Sequence, residues 1–284
     1  MNQFLLRIFL VLIALICICV VQDQRELILD STELPANIII GDSHAESLSF
    51  SSFSNLGAGG EPYFLSVCKA LRFNEHVSQP PTTIILTVGP QNFSSLSESR
   101  INNDFENWRT SNSHMIASLL QLEEFLFLLP KEILAPVLVK NITKPLAIQL
   151  SNSVSYSSEW TDNAEERANR HQVNQRGWFL RHSHSTEAIA DLQKICDNWN
   201  SKLILLETPR HHSYNRLVET SSLLRYQNYL DQTASSHEKT TLLRDTLFSP
   251  KDNWFRDSDH LSKLGSTEIE NWMIEHFYLT QTDL

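Results

Sequence analysis

The sequence predicts an α/β domain with a central parallel sheet, and three features of its pattern lead to that prediction. Short runs rich in β-branched and aliphatic residues occur at residues 37–41, 82–88 and 202–206. Glycine closes two of these runs, in a chain that has only 7 glycines. Helical segments with one apolar face separate the runs, and strands separated by helices indicate a parallel sheet covered on both faces.

The predicted strands are short, and turn-forming residues follow them. The five strands expected are residues 37–41, 49–56, 82–88, 202–206 and 240–248. A glycine cluster at residues 57–60 ends the second strand, and Thr208 with Pro209 ends the fourth. In an open α/β sheet the ligand site lies beyond the carboxyl ends of the strands, so chemistry is expected there.

Amphipathic spacing predicts the helices that cover this sheet. The three helices expected are residues 61–73, 185–199 and 266–278. In the first, Tyr63, Val67 and Leu71 share a face, and Ile189 and Ile269 mark similar stripes in the other two. Residues 100–184 break the rhythm, with an amphipathic stretch and then a polar one. We interpret 100–184 as a helical insertion that caps the sheet and shapes a cleft, within a domain that spans 36–284.

Residues 1–24 predict a signal peptide or membrane anchor. Residues 4–21 are apolar apart from Arg7, which with the α-amino group forms a positive end. This run is just short of the roughly 20 residues that span a bilayer comfortably, so a cleaved leader and an uncleaved anchor both fit. No good small-residue cleavage site follows, which favours the anchor. The domain is then expected to face a periplasm or the cell exterior, held to the membrane through this segment.

Charge and cysteine content exclude several classes of protein. The chain has 23 Lys and Arg against 33 Asp and Glu, a net charge of −10. An acidic body without a basic run argues against nucleic-acid binding and against docking on anionic lipid. Outside the apolar leader the cysteines are Cys68 and Cys196, which could pair in an oxidising compartment or remain buried thiols. No C-x-x-C motif is present, so the sequence does not indicate a zinc ribbon or a thioredoxin-like protein.

A candidate nucleophile follows the first strand directly. Gly41-Asp42-Ser43-His44 places a serine at a strand-to-helix turn, where its hydroxyl is exposed. The backbone N–H of Ser43 points into the space at the helix N-terminus, which favours negative charge. Ser43 could therefore supply a nucleophile and one oxyanion donor together.

A candidate base lies near the C-terminus. A serine hydroxyl needs a general base near pH 7, and His260 has the intrinsic pKa for that task. Asp257, three residues earlier, can bend back to orient the imidazole and stabilise its charged form. Asp259 is the rival orienter, disfavoured because adjacent residues tend to diverge in direction.

The ends of other predicted strands supply further candidates. Asn92 could donate to an oxyanion together with a glycine N–H from residues 57–60, Gly57 or Gly59 being the first candidates. Gly89 would let a substrate approach the backbone. The residues expected to line the substrate site are Asp42, His44, Gly89, Arg210 and His211.

Taken jointly, these pieces resemble the SGNH (GDSL-type) hydrolase family. Residues 41–43 match its first block, 57–60 its second, Gly89 to Asn92 its third, and Asp257 to His260 its last. Two departures matter: the third block has one extra residue between Gly and Asn, and the glycine of the second block is ambiguous. The resemblance implies a flavodoxin-like α/β/α sandwich that hydrolyses or transfers acyl esters through Ser43, His260 and Asp257, without a cofactor.

The sequence leaves several functions open. With water as acceptor the triad makes an esterase, and with a sugar or polyol hydroxyl an acyltransferase, acting on a small acyl group, with acetyl on an exported or surface glycan favoured. A non-catalytic glycan-binding or assembly protein with a degenerate site is the alternative. A metal-dependent hydrolase would use pairs such as His182 with His184 or His211 with His212, but no H-E-x-x-H is present. The oligomeric state is not predicted.

Overall fold

A computed structural model of the chain describes residues 37–102 and 160–278, which lie within one compact unit. The predicted leader at 1–24 and residues 103–159 of the predicted insertion lie outside the described residues, so the interpretations placed there stay predictions. Within 37–102 and 160–278, no helix combines the length and the apolar character that crossing a membrane requires.

The described residues form a five-stranded, all-parallel sheet flanked by helices, the three-layer α/β/α flavodoxin-like fold that was predicted. The strands are β1 (Asn37–Ile40), β2 (Phe53–Asn55), β3 (Thr83–Val88), β4 (Lys202–Glu207) and β5 (Thr240–Leu243). Their spatial order is β2-β1-β3-β4-β5. The longest pairing runs between β3 and β4, from Thr83 opposite Lys202 to Val88 opposite Glu207.

Helices follow most of the strands. They are α1 (Ser43–Glu46), α2 (Tyr63–His76), α3 (Ser95–Asn102), α4 (Ala164–His171), α5 (His184–Trp199), α6 (His212–Asn215), α7 (Thr220–Ser235) and α8 (Lys263–Met273). A π-helical turn, Ile274–Tyr278, continues α8, and a 3₁₀ turn, Pro90–Phe93, follows β3. The three individually predicted helices correspond to α2, α5 and α8. α4 lies inside the predicted helical insertion, where no single helix was delimited, and α7 had no counterpart in the prediction.

The core sits around the central strands. Ile38, Ile39 and Ile40 of β1 are fully buried, as are Ile84 and Ile85 of β3. Strands buried on both faces carry continuous aliphatic runs rather than alternating ones, which is why these segments were recognisable in the sequence. The central strands are therefore fixed in place, and the loops at their carboxyl ends are held on a rigid base.

The second and fifth strands are shorter than predicted. β2 occupies only Phe53–Asn55 of the expected 49–56, because Phe53 N–H donates to Phe50 O at 3.3 Å and closes a turn directly before the strand. β5 ends at Leu243, where the chain turns into a 3₁₀ segment, Asp245–Leu247, instead of continuing to 248.

The turn between β1 and α1 depends on a glycine. Gly41 has φ +134°, which L side chains rarely adopt, and a Cβ built there would lie 2.3 Å from Thr87 Oγ1 on β3. The chain can therefore reverse tightly against β3 and present the next residues, Asp42 and Ser43, at the carboxyl edge of the sheet.

Candidate active site

Ser43 is the first residue of α1 and is partly exposed. Asp42 caps the helix, since its Oδ1 accepts the His44 N–H at 3.0 Å. Because Asp42 lies in an extended conformation before the helix, the Ser43 hydroxyl and N–H are both at the N-terminal end of α1. The structure thus gives Ser43 the position that the sequence pattern predicts.

His260 and Asp257 lie beside Ser43 in the structure. His260 Nε2 lies 2.7 Å from Ser43 Oγ, although the two residues are 217 positions apart. On the other side of the ring, His260 Nδ1 lies 2.9 Å from Asp257 Oδ2 and 3.0 Å from Oδ1. The hydroxyl can donate to Nε2 while Nδ1–H donates to the carboxylate, the arrangement in which imidazole acts as a base toward serine.

The surroundings of Asp257 favour the ionised form of its carboxyl group. Its Oδ1 also accepts the backbone N–H groups of Asp259 and His260, at 3.1 and 2.9 Å. Burial alone would raise the pKa of Asp257, but the hydrogen bonds and charge of His260 outweigh burial and hold that pKa well below its usual value. A carboxylate in this state can orient the imidazole and stabilise its positive charge.

Asp259, the rival orienter, faces a different set of partners. It is 1% exposed, and its Oδ1 lies 3.6 Å from His260 Nδ1, too far for a hydrogen bond. Both of its oxygens instead accept from Arg167, at 2.7 and 2.8 Å. Burial raises the pKa of Asp259, but the charge of His260 and the hydrogen bonds from Arg167 prevail and lower it.

Asp42 is the centre of a second buried network beside the serine. Its oxygens accept from His44 Nδ1 at 3.0 Å, Gln91 Nε2 at 3.1 Å and Asn92 Nδ2 at 2.9 Å. Burial opposes ionisation, but the adjacent His44 and these hydrogen bonds hold the pKa of Asp42 well below its usual value. The same carboxylate, together with Asp259, raises the pKa of His44 against the effect of burial.

The predicted substrate contacts at Asp42 and His44 therefore differ from the structure. Asp42 is 5% exposed and His44 is 3% exposed. The Asp42 carboxylate is hydrogen-bonded to His44 Nδ1 and to Asn92 Nδ2, so these groups already have partners within the protein. They connect Ser43 to Asn92, so their position suits support of the site rather than direct contact. Gly89 is buried and donates its N–H to Asn92 Oδ1 at 3.1 Å.

The candidate oxyanion donors differ in whether their N–H groups already have an acceptor within the protein. Gly57 donates its N–H to Asn55 Oδ1 at 2.8 Å, which corrects the expectation that this N–H is available. Ala58 N–H donates to Gly41 O at 3.1 Å, so the glycine cluster lies against the turn that carries Ser43. Gly59 is exposed, and within 37–102 and 160–278 its N–H has no partner. Asn92 Nδ2 uses one hydrogen for Asp42 and retains a second.

Arg210 does not reach the site, contrary to the prediction. Its guanidinium is buried, pairs with Glu207 at 3.5 Å and with Asp245 at 3.1 Å, and donates through Nε to Asn215. A buried charge needs such partners, and this requirement decides its direction. His211 instead lines a cavity of about 850 Å³ that includes Trp160.

Two clusters have the residue types of a metal site, but their surroundings do not suit one. His44, Asp259 and His260 come together, yet the cationic group of Arg167 already occupies Asp259. In the second, His211, His212 and Asp252, the Nδ1 of His211 lies 3.3 Å from the Ser213 N–H, which directs its proton to the nitrogen facing Asp252. The pair His182 and His184 belongs to no such cluster among the described residues.

Two further residues of the site were missed in the sequence. Arg167 lies in the polar part of the predicted insertion, 92 positions from Asp259, and no local pattern links them. Gln91 was passed over as part of a turn, although its Nε2 donates to both Asp42 and Asn92. The glutamine sits in the third block, so its place beside Asn92 was the only available signal.

Neither a family model nor a curated protein sequence matches this chain. Among solved structures, a candidate acylhydrolase from Bacteroides fragilis is similar at 12% identity and a TM-score of 0.40, covering 88% of this chain and 93% of that one. A gut microbial diltiazem-metabolising enzyme is similar at 12% identity and a TM-score of 0.40, covering 84% of this chain. The match spans 46% of that enzyme's own length. These are similarities of the backbone path.

Proposed function

We propose that the protein is a serine-dependent acyl-ester hydrolase or O-acyltransferase of the SGNH type. The observation that carries the proposal is the continuous contact from Ser43 Oγ to His260 Nε2 at 2.7 Å and from His260 Nδ1 to Asp257 at 2.9 Å. A partly buried carboxylate, here Asp257 with a side chain 18% exposed, contacts an imidazole that contacts a partly exposed hydroxyl. A carboxylate, an imidazole and a serine in this order recur in proteins of unrelated folds, where they activate the serine. No cofactor is needed for this chemistry.

In the first half-reaction, Ser43 Oγ attacks the ester carbonyl carbon while its proton passes to His260 Nε2. Asp257 stabilises the imidazolium that forms. The tetrahedral intermediate then expels the alcohol, which takes the proton from His260, and the acyl group remains on Ser43.

The oxyanion of the intermediate requires hydrogen-bond donors at the same edge of the sheet. We assign the Ser43 N–H, the Gly59 N–H and the second hydrogen of Asn92 Nδ2 to this task, and we do not assign Gly57. The Asp42 carboxylate orients the Asn92 amide, since it accepts from Nδ2 at 2.9 Å. One donor of this kind contributes about 3–4 kcal/mol to lowering the barrier.

The second half-reaction decides between hydrolysis and transfer. His260 takes a proton from water or from a substrate hydroxyl, and that oxygen attacks the acyl carbon on Ser43. The bond between the acyl carbon and Ser43 Oγ then breaks, and His260 returns the proton to Oγ. We propose a small acyl group, acetyl first, carried by an exported or surface glycan. This part of the proposal rests on the apolar sequence at residues 4–21, which predicts an outward-facing, membrane-held protein.

The full-length chain, purified in mild detergent, tests the proposal directly. A fluorophosphonate probe is expected to label the peptide that contains Ser43, and p-nitrophenyl acetate is expected to be hydrolysed. Ser43→Ala and His260→Ala should each abolish labelling and lower kcat by about 10³-fold or more. Ser52→Ala, an exposed serine on the loop before β2, is the matched control and should behave as the wild type.

The other functions are outcomes of the same experiment. Labelling without ester hydrolysis indicates a strict acyltransferase, because the probe requires only an activated serine. Hydrolysis that survives Ser43→Ala and is lost with a chelator would indicate a metal-dependent hydrolase and contradict the proposal. Neither labelling nor turnover, in a folded protein, would indicate the non-catalytic binding protein and also contradict it.

A further inference from the structure

Arg167 lies at the catalytic base although the chain places it in the predicted insertion. It projects from α4 and donates through Nε and Nη2 to the two oxygens of Asp259, at 2.7 and 2.8 Å. The Arg167 side chain is 15% exposed and that of Asp259 is 1% exposed. Two parallel hydrogen bonds to one carboxylate fix the plane of the guanidinium as well as its position.

The same guanidinium contacts the face of the His260 ring. Nη2 of Arg167 lies 3.2 Å from Nδ1 and 3.2 Å from Nε2 of His260. In the ring plane, an atom that close to both nitrogens would overlap Cε1, so Nη2 lies over the ring face. The in-plane directions are already taken, by Asp257 at Nδ1 and Ser43 at Nε2. Arg167 therefore restrains the one rotation that these two partners leave free, the tilt of the ring.

The segment that carries Arg167 is hydrogen-bonded to the loop that carries His260. Asn163 Oδ1 accepts from the hydroxyl of Ser258 at 2.7 Å and from its N–H at 3.3 Å. Thr161 N–H donates to Arg256 O at 3.2 Å. The contact between Arg167 and the His260 ring thus belongs to a wider attachment between two segments of the chain.

We propose that Arg167 is a positioning residue for His260, and that Asp259 neutralises its charge so that His260 can accept the proton of Ser43. This inference rests on the proposed function. A bare guanidinium against the imidazole would oppose protonation, whereas the Arg167–Asp259 pair presents little net charge. In the part of the chain that the structure describes, the charged and titratable groups facing the His260 ring are Asp257 and Asp259 from its own loop, Arg167 from α4, and His44 from α1, whose ring centroid is 4.9 Å away.

The pH profile of kcat/KM separates this role from a merely structural one. In R167M, the uncompensated Asp259 carboxylate favours protonated His260, so the acid limb should move upward by about one pH unit. In D259N, the uncompensated guanidinium disfavours protonation, so the limb should move downward by a similar amount. The double variant R167M/D259N leaves neither charge unpaired and should return the midpoint to the wild-type value.

The turnover number adds a second readout. In R167M and in the double variant, kcat should fall about tenfold or more with KM changed less than twofold, because the ring loses its face contact. R167K keeps the charge but not the planar fork, so its midpoint should stay and its kcat should fall. Arg170→Met, an exposed arginine one turn further along α4, is the matched control and should leave both quantities unchanged.

Circular dichroism at each pH confirms that the variants are folded before they are compared. The inference is overturned if the two single variants keep the wild-type midpoint or move in the same direction. If one single variant does not fold, the double variant and R167K still test the tilt restraint, and a wild-type kcat in both would overturn it. Absence of fluorophosphonate labelling in the wild type would instead count against the proposed function itself.

Discussion

Two carboxylates only two residues apart have separate surroundings in this protein. Asp257 accepts from His260 Nδ1 and from two backbone N–H groups, whereas Asp259 is held by Arg167. The backbone hydrogen bonds to Asp257 fold its side chain back over the following residues, a turn that Asp259 does not make. Residue identity alone does not distinguish the two, and the local turn decides which one faces the ring nitrogen.

Replacing Asp257 tests this division of roles. Asp257→Asn should lower kcat on p-nitrophenyl acetate by about 10²–10⁴-fold, because an amide cannot stabilise the imidazolium and favours the wrong tautomer. KM should change little, since Asp257 is not proposed to touch the substrate. Asp191→Asn, a surface aspartate on α5, is the control and should retain full activity. A kcat for Asp257→Asn within threefold of wild type would contradict the assignment.

At the scale of residues, sequence reasoning identified Ser43, His260 and Asp257, which lie in contact in the structure, but not the side chains that surround them. Ser43 and His260 stand in short motifs whose residue types already suggest their chemistry. The Gly57 N–H was misjudged because its acceptor is the Asn55 side chain at the end of β2, a contact that the sequence pattern did not indicate. Arg167 could not be placed because its partner lies 92 positions away and only tertiary packing brings them together.

At the scale of elements, helices with weak apolar stripes escaped prediction. The buried positions of α4 are Ala164, Ala168 and His171, which give no strong hydrophobic period. In α7 the buried residues are Ser222, Tyr226 and Leu230, spaced by four, but a serine and a tyrosine do not stand out as core. The strands β1, β3 and β4 instead carry continuous aliphatic runs, which are easily recognised in a sequence. The central strands of the sheet could therefore be predicted, whereas α4 and α7 could not.

The N-terminus of α5 depends on a reciprocal cap. Ser183 Oγ accepts from Thr186 N–H at 3.3 Å, and Thr186 Oγ1 accepts from Ser183 N–H at 3.1 Å. Ser183→Ala removes one acceptor from a buried helix end and should lower the free energy of unfolding by about 1 kcal/mol in urea denaturation. Ser235→Ala, at the exposed end of α7, should change it by less than about 0.5 kcal/mol. Equal effects would show that the cap does not stabilise α5.

At the scale of the whole molecule, the carboxylates of the proposed active site make the free energy of unfolding depend on pH. Asp42, Asp257 and Asp259 all have a pKa held below the usual value of 3.8. A group with a lowered pKa binds fewer protons when folded than when unfolded, so its contribution is present above 3.8 and is lost as pH falls through the folded value. The free energy of unfolding should therefore decrease steadily below about pH 4.

Asp42→Asn isolates one part of this dependence. The variant should be less stable than wild type at pH 7, and its stability should fall less steeply below pH 4, by up to about 1.4 kcal/mol per pH unit. Urea unfolding followed by fluorescence between pH 7 and pH 2.5 provides the measurement. Asp191→Asn is the control and should keep the wild-type slope. Parallel curves for wild type and Asp42→Asn would contradict the prediction.

The separation of Ser43 from His260 by 217 positions has a consequence for biosynthesis. The Ser43 hydroxyl is synthesised 217 residues before the His260 imidazole, which lies just before α8 in the sequence. A chain that stops before residue 260 contains Ser43 but lacks the base that we propose for it. The proposed reactivity toward esters therefore requires synthesis of the chain at least through His260 and folding that brings residues 43 and 260 together at one edge of the sheet.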